Sequence, residues 1–110
     1  MSEYFPDLGS RKYKQLVDGI KARTFWGEKL MLALVDLEPN AVLPQHHHPH
    51  EQAGVVLEGQ MTLTVGEESK LVRPGDLYLI PGDVPHSAQV GPIPTRLLDI
   101  FSPVREEYKE

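Results

Sequence analysis

The chain has 110 residues, enough for one domain and too few for two, and its 40% hydrophobic and 25% charged residues suit a globular fold with a real core. A formal net charge of −5 with scattered basic residues argues against nucleic acid and against anionic membrane surfaces; no segment approaches the roughly 20 apolar residues of a membrane span, and MSEYFPDLGS lacks the features of a signal, so a cytoplasmic location is expected. With no cysteine, disulfides, thiolate zinc sites and cysteine nucleophiles are excluded together, and any metal must be held by N and O atoms.

In chain order, GSRKYKQLVDGIKAR (Gly9 to Arg23) admits a short helix, and it is the one stretch that does. KLMLALVDL (Lys29 to Leu37) reads as a strand, as do GVVLE (Gly54 to Glu58), DLYLI (Asp76 to Ile80) and TRLLDIF (Thr95 to Phe101). The clearest strand is QMTLTVG (Gln60 to Gly66), where Met61, Leu63 and Val65 alternate with Thr62 and Thr64. A turn at GEES and a returning KLV complete a hairpin. EPN, RPGD, PGDVP and VGPIP supply turn chemistry between the strands, and nine glycines and ten prolines punctuate the chain about every ten residues. This rhythm predicts a small all-β antiparallel barrel, one domain over residues 1–110, with residues 1–10 and 105–110 as flexible, solvated ends.

Four of the five histidines fall in QHHHPHEQ, Gln45 to Gln52. On an extended segment His46, His48 and His50 share one face and His47 takes the other, so His46-x-His48 is a bidentate clamp for a metal ion. Gln52 offers an amide oxygen four residues after His48 with the same parity. A further ligand has to come from elsewhere in the chain, and the remaining histidine is His86, in IPGDVPH. His47 and His50 are expected beside the site without ligating, with His50 as the reserve.

These residues resemble the two motifs of the cupin superfamily. The first stands as His46-x-His48-x3-Gln52-x6-Gly59 and the second as Gly75-x5-Pro81-x4-His86. The chain departs from the pattern at Asn40 and Asp83, where glycine is expected, at Val90 in place of asparagine, and at Gln52, where many members carry glutamate. The resemblance implies a double-stranded β-helix, a jelly-roll-like barrel, in which His46, His48, Gln52 and His86 converge on one divalent metal. Nickel or zinc is favoured; iron, manganese, cobalt and copper also suit an N3O donor set. A neutral amide leaves the metal more positive than a carboxylate would, which suits Lewis-acid work. The resemblance also implies a homodimer, since cupins commonly pair barrels edge to edge.

In TRLLDIF, Thr95, Leu97, Asp99 and Phe101 share one face, and a buried Asp99 would cost several kcal/mol without partners, so it is either a structural hydrogen-bonding group at a rim or a functional one. The tail LLDIFSPVREEY, with HHHPHEQ and VLEGQ, is similar to a narrower group of small single-domain cupins that open the ring of 4,5-unsaturated monouronates from pectin or alginate breakdown into the linear keto form. That similarity assigns Asp99, Phe101 and Arg105 to the active site: Asp99 to move the proton, Phe101 to shape the sugar pocket, and Arg105 to hold the substrate carboxylate as a bidentate partner. The alternative for Arg105 is a surface salt bridge with Glu106 or Glu107. Gln60 and Tyr78 are left between pocket and solvent, and Trp26 and Glu28 between the mouth and a dimer contact. Arg23 and Lys29 read more simply as surface than as acid-binding residues. Two other functions stay open, a dioxygenase with a redox-active metal and a noncatalytic sugar-binding cupin.

Overall fold

Alternation of buried and exposed side chains writes the strands. In β3 (Met31–Leu37) and β10 (Thr95–Ser102) every second residue from Met31 and from Thr95 is buried, which is the period of a pleated strand with one face on a core. The structure, a computed structural model, describes residues 4–109. Eight more strands complete it: β1 (Lys14–Val17), β2 (Ile20–Trp26), β4 (Val42–His46), β5 (Glu51–Glu58), β6 (Met61–Val65), β7 (Glu68–Val72), β8 (Leu77–Ile80) and β9 (His86–Val90). They form two antiparallel sheets, ordered β1-β2-β3-β10-β5-β8 and β4-β9-β6-β7. Inner-face residues of both, among them Val35, Val56 and Leu97 from one and Met61, Leu63 and Val90 from the other, make a single apolar core. This is the all-β, double-stranded β-helix expected from the sequence. No helix among the described residues is long and apolar enough to cross a membrane.

Residues 9–23 do not contain the short α-helix that the sequence admits. β1 and β2 form a hairpin over that stretch, with a register shift between Gln15 and Val17. Ile20, Ala22 and Thr24 are buried alternately, and the core those side chains join overrides the local ambiguity. Near the N-terminus Tyr4 and Phe5 are largely exposed. Residues Leu8–Ser10 make a 3₁₀ turn capped by Asp7 and held by Arg23 Nη1 donating to the Leu8 carbonyl, while Arg105 is only 7% exposed.

Asn40 and Asp83, which replace the expected glycines, take left-handed backbone conformations with φ of 63° and 64°. Asn and Asp are the side-chain-bearing residues that tolerate this region best, so these departures keep the turn geometry of the motif. The turn at Asp83 then bears directly on the histidines, because the Asp83 amide donates to the His48 carbonyl at 2.7 Å.

Across the large sheet the register builds rows of inward-facing residues. One row runs Met31, Phe101, Gln52, Ile80; the next runs Ala33, Asp99, Gly54, Tyr78; the third runs Val35, Leu97, Val56. The first two rows carry the polar groups and the third is apolar.

Candidate metal centre

His46 closes β4, an edge strand, which is where the adjacent Pro44 can be accommodated without losing a ladder hydrogen bond. The β4–β9 register shifts between Leu43 and His46, and beyond the shift His46 pairs directly with His86, the first residue of β9. A bulge of this kind re-aims a side chain, and here it sets two imidazoles against each other with ring centroids 4.2 Å apart and planes tilted by 58°. His48 comes from the loop between β4 and β5. One nitrogen from each of His46, His48 and His86 lies within 4.8 Å of the others.

The hydrogen bonds settle which nitrogens those are. Nδ1 of His46 faces the Pro44 carbonyl at 2.9 Å, Nδ1 of His48 faces the His50 carbonyl at 3.0 Å, and Nδ1 of His86 faces the Val84 carbonyl at 2.8 Å. A carbonyl only accepts, so each Nδ1 carries the proton and each neutral ring turns the lone pair of Nε2 inward. Outer hydrogen bonds of this kind fix the tautomer and aim of metal-ligating histidines. Burial, followed by the charge of Arg105 and then His86, lowers the His48 pKa to about 4, and burial also lowers that of His86, so both rings stay in the ligating neutral form.

Two features of this arrangement suit a cation. The His86 Nε2 is buried with no hydrogen-bond partner. Gln52 Oε1 lies 3.2 Å from the His48 Nε2. The Gln52 side chain hydrogen-bonds the Asp99 carboxylate, which turns its NH2 toward Asp99 and its oxygen toward His48. Two acceptors then face each other in a buried space, an arrangement that a positive ion between them would relieve. The donor set His46, His48, His86 and Gln52 fits a divalent metal on these grounds.

Asp99 is 6% exposed and sits beside this centre. Its Oδ1 accepts a 2.5 Å hydrogen bond from the Tyr78 hydroxyl, and Gln52 is its second partner. Burial raises the carboxyl pKa to about 6; the bonds from Tyr78 and Gln52, and the Arg105 charge, pull the other way. Burial, and then the Asp99 charge, raise the Tyr78 phenol, which is therefore a donor at any ordinary pH.

Phe101 is buried and packs edge-on against His48. The guanidinium of Arg105 lies 5.0 Å from the Phe101 ring centre and 3.8 Å from that of Tyr108. It bonds Glu107 Oε2 through Nε and Nη2, at 3.3 and 3.1 Å. The salt bridge foreseen from the sequence is thus present, but the arginine in it is a buried roof over the chamber. His47 is exposed near Asp83, and His50 packs tilted against His48, with ring centroids 5.6 Å apart, without joining the three-histidine group. Tyr108 and the links from Gln52 and Tyr78 to Asp99 were not legible in the sequence; the parity of Tyr78 with buried Ile80 was the available signal.

The chamber that His46, His86, Gln52, Asp99, Phe101 and Arg105 help to line measures about 50 Å³. A larger groove, near 800 Å³, opens where β10 begins and mixes Asp18, Glu38 and Glu58 with Lys21 and Arg96. None of the three clustered histidines lines it.

A jelly-roll barrel with inward-facing His-x-His and a histidine from a second motif defines a class. The cupin domain family matches residues 33–101, and the chain belongs to it. It is 29% identical to the pectin degradation protein KdgF of Dickeya dadantii, over 98% of this chain and 99% of that one. Among solved structures, an RmlC-like cupin from Shewanella frigidimarina superposes with a TM-score of 0.89 at 28% identity, covering 98% of this chain and 97% of the other. KdgF from a Halomonas species superposes with a TM-score of 0.84 at 25% identity, over 92% and 94% of the two chains.

Proposed function

We propose that this protein opens the ring of 4,5-unsaturated monouronates released in pectin or alginate breakdown, giving the linear keto acid with the help of one divalent metal. The observation that carries the reading is the Asp99 carboxyl, buried beside three converging imidazoles and roofed by Arg105, in a chain similar to KdgF along its whole length. His46, His48, His86 and Gln52 would hold the metal, which supplies Lewis-acid stabilisation for negative charge developing on the substrate.

The protein's own groups account for the proton movements. In the substrate the ring oxygen is attached to the C5 alkene carbon. Asp99 takes the proton of the anomeric hydroxyl, the C1–O5 bond breaks, and an aldehyde and an enolate result. Asp99 returns the proton to C4, which leaves the ketone at C5, so one proton is borrowed and repaid and no water is consumed. A carboxyl whose pKa lies near 6 can serve in both directions near neutral pH. Arg105 binds the substrate carboxylate through the edge that now holds Glu107, and Phe101 forms the wall of the sugar site. A chamber of about 50 Å³ is far below the roughly 300 Å³ at which ligand pockets begin, so substrate entry displaces the Arg105–Tyr108 roof.

The direct test follows the ultraviolet absorbance of the conjugated alkene. Metal-loaded protein accelerates its loss over the spontaneous rate, chelator-stripped protein does not, and returned metal restores the acceleration. If neither a pectin-derived nor an alginate-derived monouronate is consumed faster than it decays alone, this function is wrong, and oxygen uptake with other substrates becomes the question.

For the assembly we propose a second copy of the chain against the outer face of the large sheet. β8 is an edge strand of that sheet, and its outward Leu77 and Leu79 are 77% and 59% exposed. They join Ala53, Val55, Leu98 and Ile100 in one shallow groove that contains no charged side chain. Two copies of a protein with net charge −5 can meet there without like-charge contact, and the pairing covers an apolar strand edge. Light scattering after size exclusion should give a dimer for the wild type and a monomer for the Leu77→Glu/Leu79→Glu variant; a monomeric wild type at micromolar concentration would rule the pairing out.

A further inference from the structure

Gly54 lies in the interior of β5, flanked on its own row by Asp99 on one side and Tyr78 on the other. Its φ is not in the left-handed region, so the backbone does not demand glycine there. Glycine in a strand interior weakens the strand and commonly marks a close approach of other groups. The approach here comes from side chains: a Cβ at position 54 would overlap both the Tyr78 ring and the Asp99 carboxylate. The Tyr78 side chain lies down across the empty position and reaches Asp99, two strands away in the sheet, with its hydroxyl.

We infer that Tyr78, passing over Gly54, is a positioning residue that fixes the Asp99 carboxylate for proton transfer. The inference rests on the acid/base role proposed above for Asp99. Oδ1 is committed to the phenol at 2.5 Å, and Gln52 ties the same carboxylate to the metal centre. With both neighbours in place the carboxylate has one orientation relative to the histidines. A two-carbon side chain in a chamber of this kind has rotamers to choose from, and a directional bond to a buried phenol selects among them. Packing alone does not explain the tyrosine, since phenylalanine would fill the same space against the core without the hydroxyl.

Four metal-loaded proteins test this: wild type, Tyr78→Phe, Asp99→Asn and the double variant, assayed on an unsaturated monouronate. Tyr78→Phe should lower kcat by about tenfold or more and leave KM within about twofold, since the hydroxyl contacts the acid/base group and not the substrate. In the Asp99→Asn background the same change should cost less than about twofold, because nothing is left to position. Equal losses in the two backgrounds, or no loss in the wild-type background, overturn the inference. A crystal structure of Tyr78→Phe gives a reading independent of turnover. Asp99 should leave its wild-type orientation; an unmoved carboxylate overturns the inference whatever the kinetics. If Asp99→Asn keeps full activity, the proposed role of Asp99 falls, and the crystal structure still decides whether Tyr78 sets its orientation.

Discussion

Asp99→Asn should reduce turnover of an unsaturated monouronate by about a thousandfold and, in the same protein stripped of metal, raise stability at neutral pH. The first effect is the size expected when a general acid/base is lost. Asparagine keeps the shape and can still bond Tyr78 and Gln52, but it cannot carry a proton. The second effect follows from linkage. Folding raises the Asp99 pKa from 3.8 to about 6, chiefly by burial. A raised pKa means that the folded state favours the protonated form, so this group's favourable contribution is complete below pH 4 and is lost as pH rises through 6. The loss is on the order of 3 kcal/mol at pH 7, and asparagine does not incur it.

His48 works in the opposite sense. Its pKa falls from 6.5 to about 4 on folding, so its contribution is present above pH 6.5 and is lost as pH drops toward 4. In the wild-type protein without metal the two trends offset each other between about pH 4 and 6. Asp99→Asn removes one of them, so its stability should fall more steeply on acidification than that of the wild type. Urea unfolding at pH 7 and pH 5 measures both statements. A variant no more stable than wild type at pH 7 would show that the bonds from Tyr78 and Gln52 already offset the burial of the charge.

His86→Ala should lower affinity for divalent metal by more than about a hundredfold and return turnover to the spontaneous rate. Removing an outer hydrogen-bond partner of a ligating histidine commonly costs about 10–100-fold, and removing the imidazole costs more. The buried Nε2 of His86, otherwise without a partner, is the clearest sign of that duty. Saturating metal should raise the melting temperature of the wild type, since a ligand that binds only the folded state at 100 times its Kd adds about 2.7 kcal/mol. The variant should fold without metal and gain almost nothing from adding it. Wild-type binding retained in His86→Ala would mean that His46, His48 and Gln52 suffice and that His86 has another task.

Local sequence carried much of the architecture. Alternation in Met61 to Val65 and in Thr95 to Phe101 is a property of neighbouring residues, and both segments are strands, with Met61 and Leu63 inward in the first and the Thr95, Leu97, Asp99 and Phe101 face inward in the second. The His-x-His pair was equally legible, because two imidazoles on one side of an extended chain are close whatever the rest of the protein does. β4 and β9 were not read as strands, although they end and begin at ligating histidines. Val42–His46 contains a proline and shows no alternation of burial, and His86–Val90 is short and half polar. Their pairing with each other, and that of β9 with β6, makes them strands.

By itself, then, the sequence determined the class of fold, the N and O character of any metal site, and the grouping of Asp99 with Thr95, Leu97 and Phe101 on one face of a strand. The strand face depends on residues within about ten positions of one another, and the other two on composition and on turn signals repeated along the chain. The tertiary structure alone decided that His86 meets His46 across a bulge, that Gln52 bridges His48 and Asp99, and that Tyr78 crosses Gly54. Apart from the His48–Gln52 contact, these join strands far apart in the chain, and their register is set by the packing of both sheets on one core, which no local pattern encodes. The same holds for Arg105: by composition it belongs to a charged tail, and it is buried because Phe101 and Tyr108 offer their rings to its guanidinium.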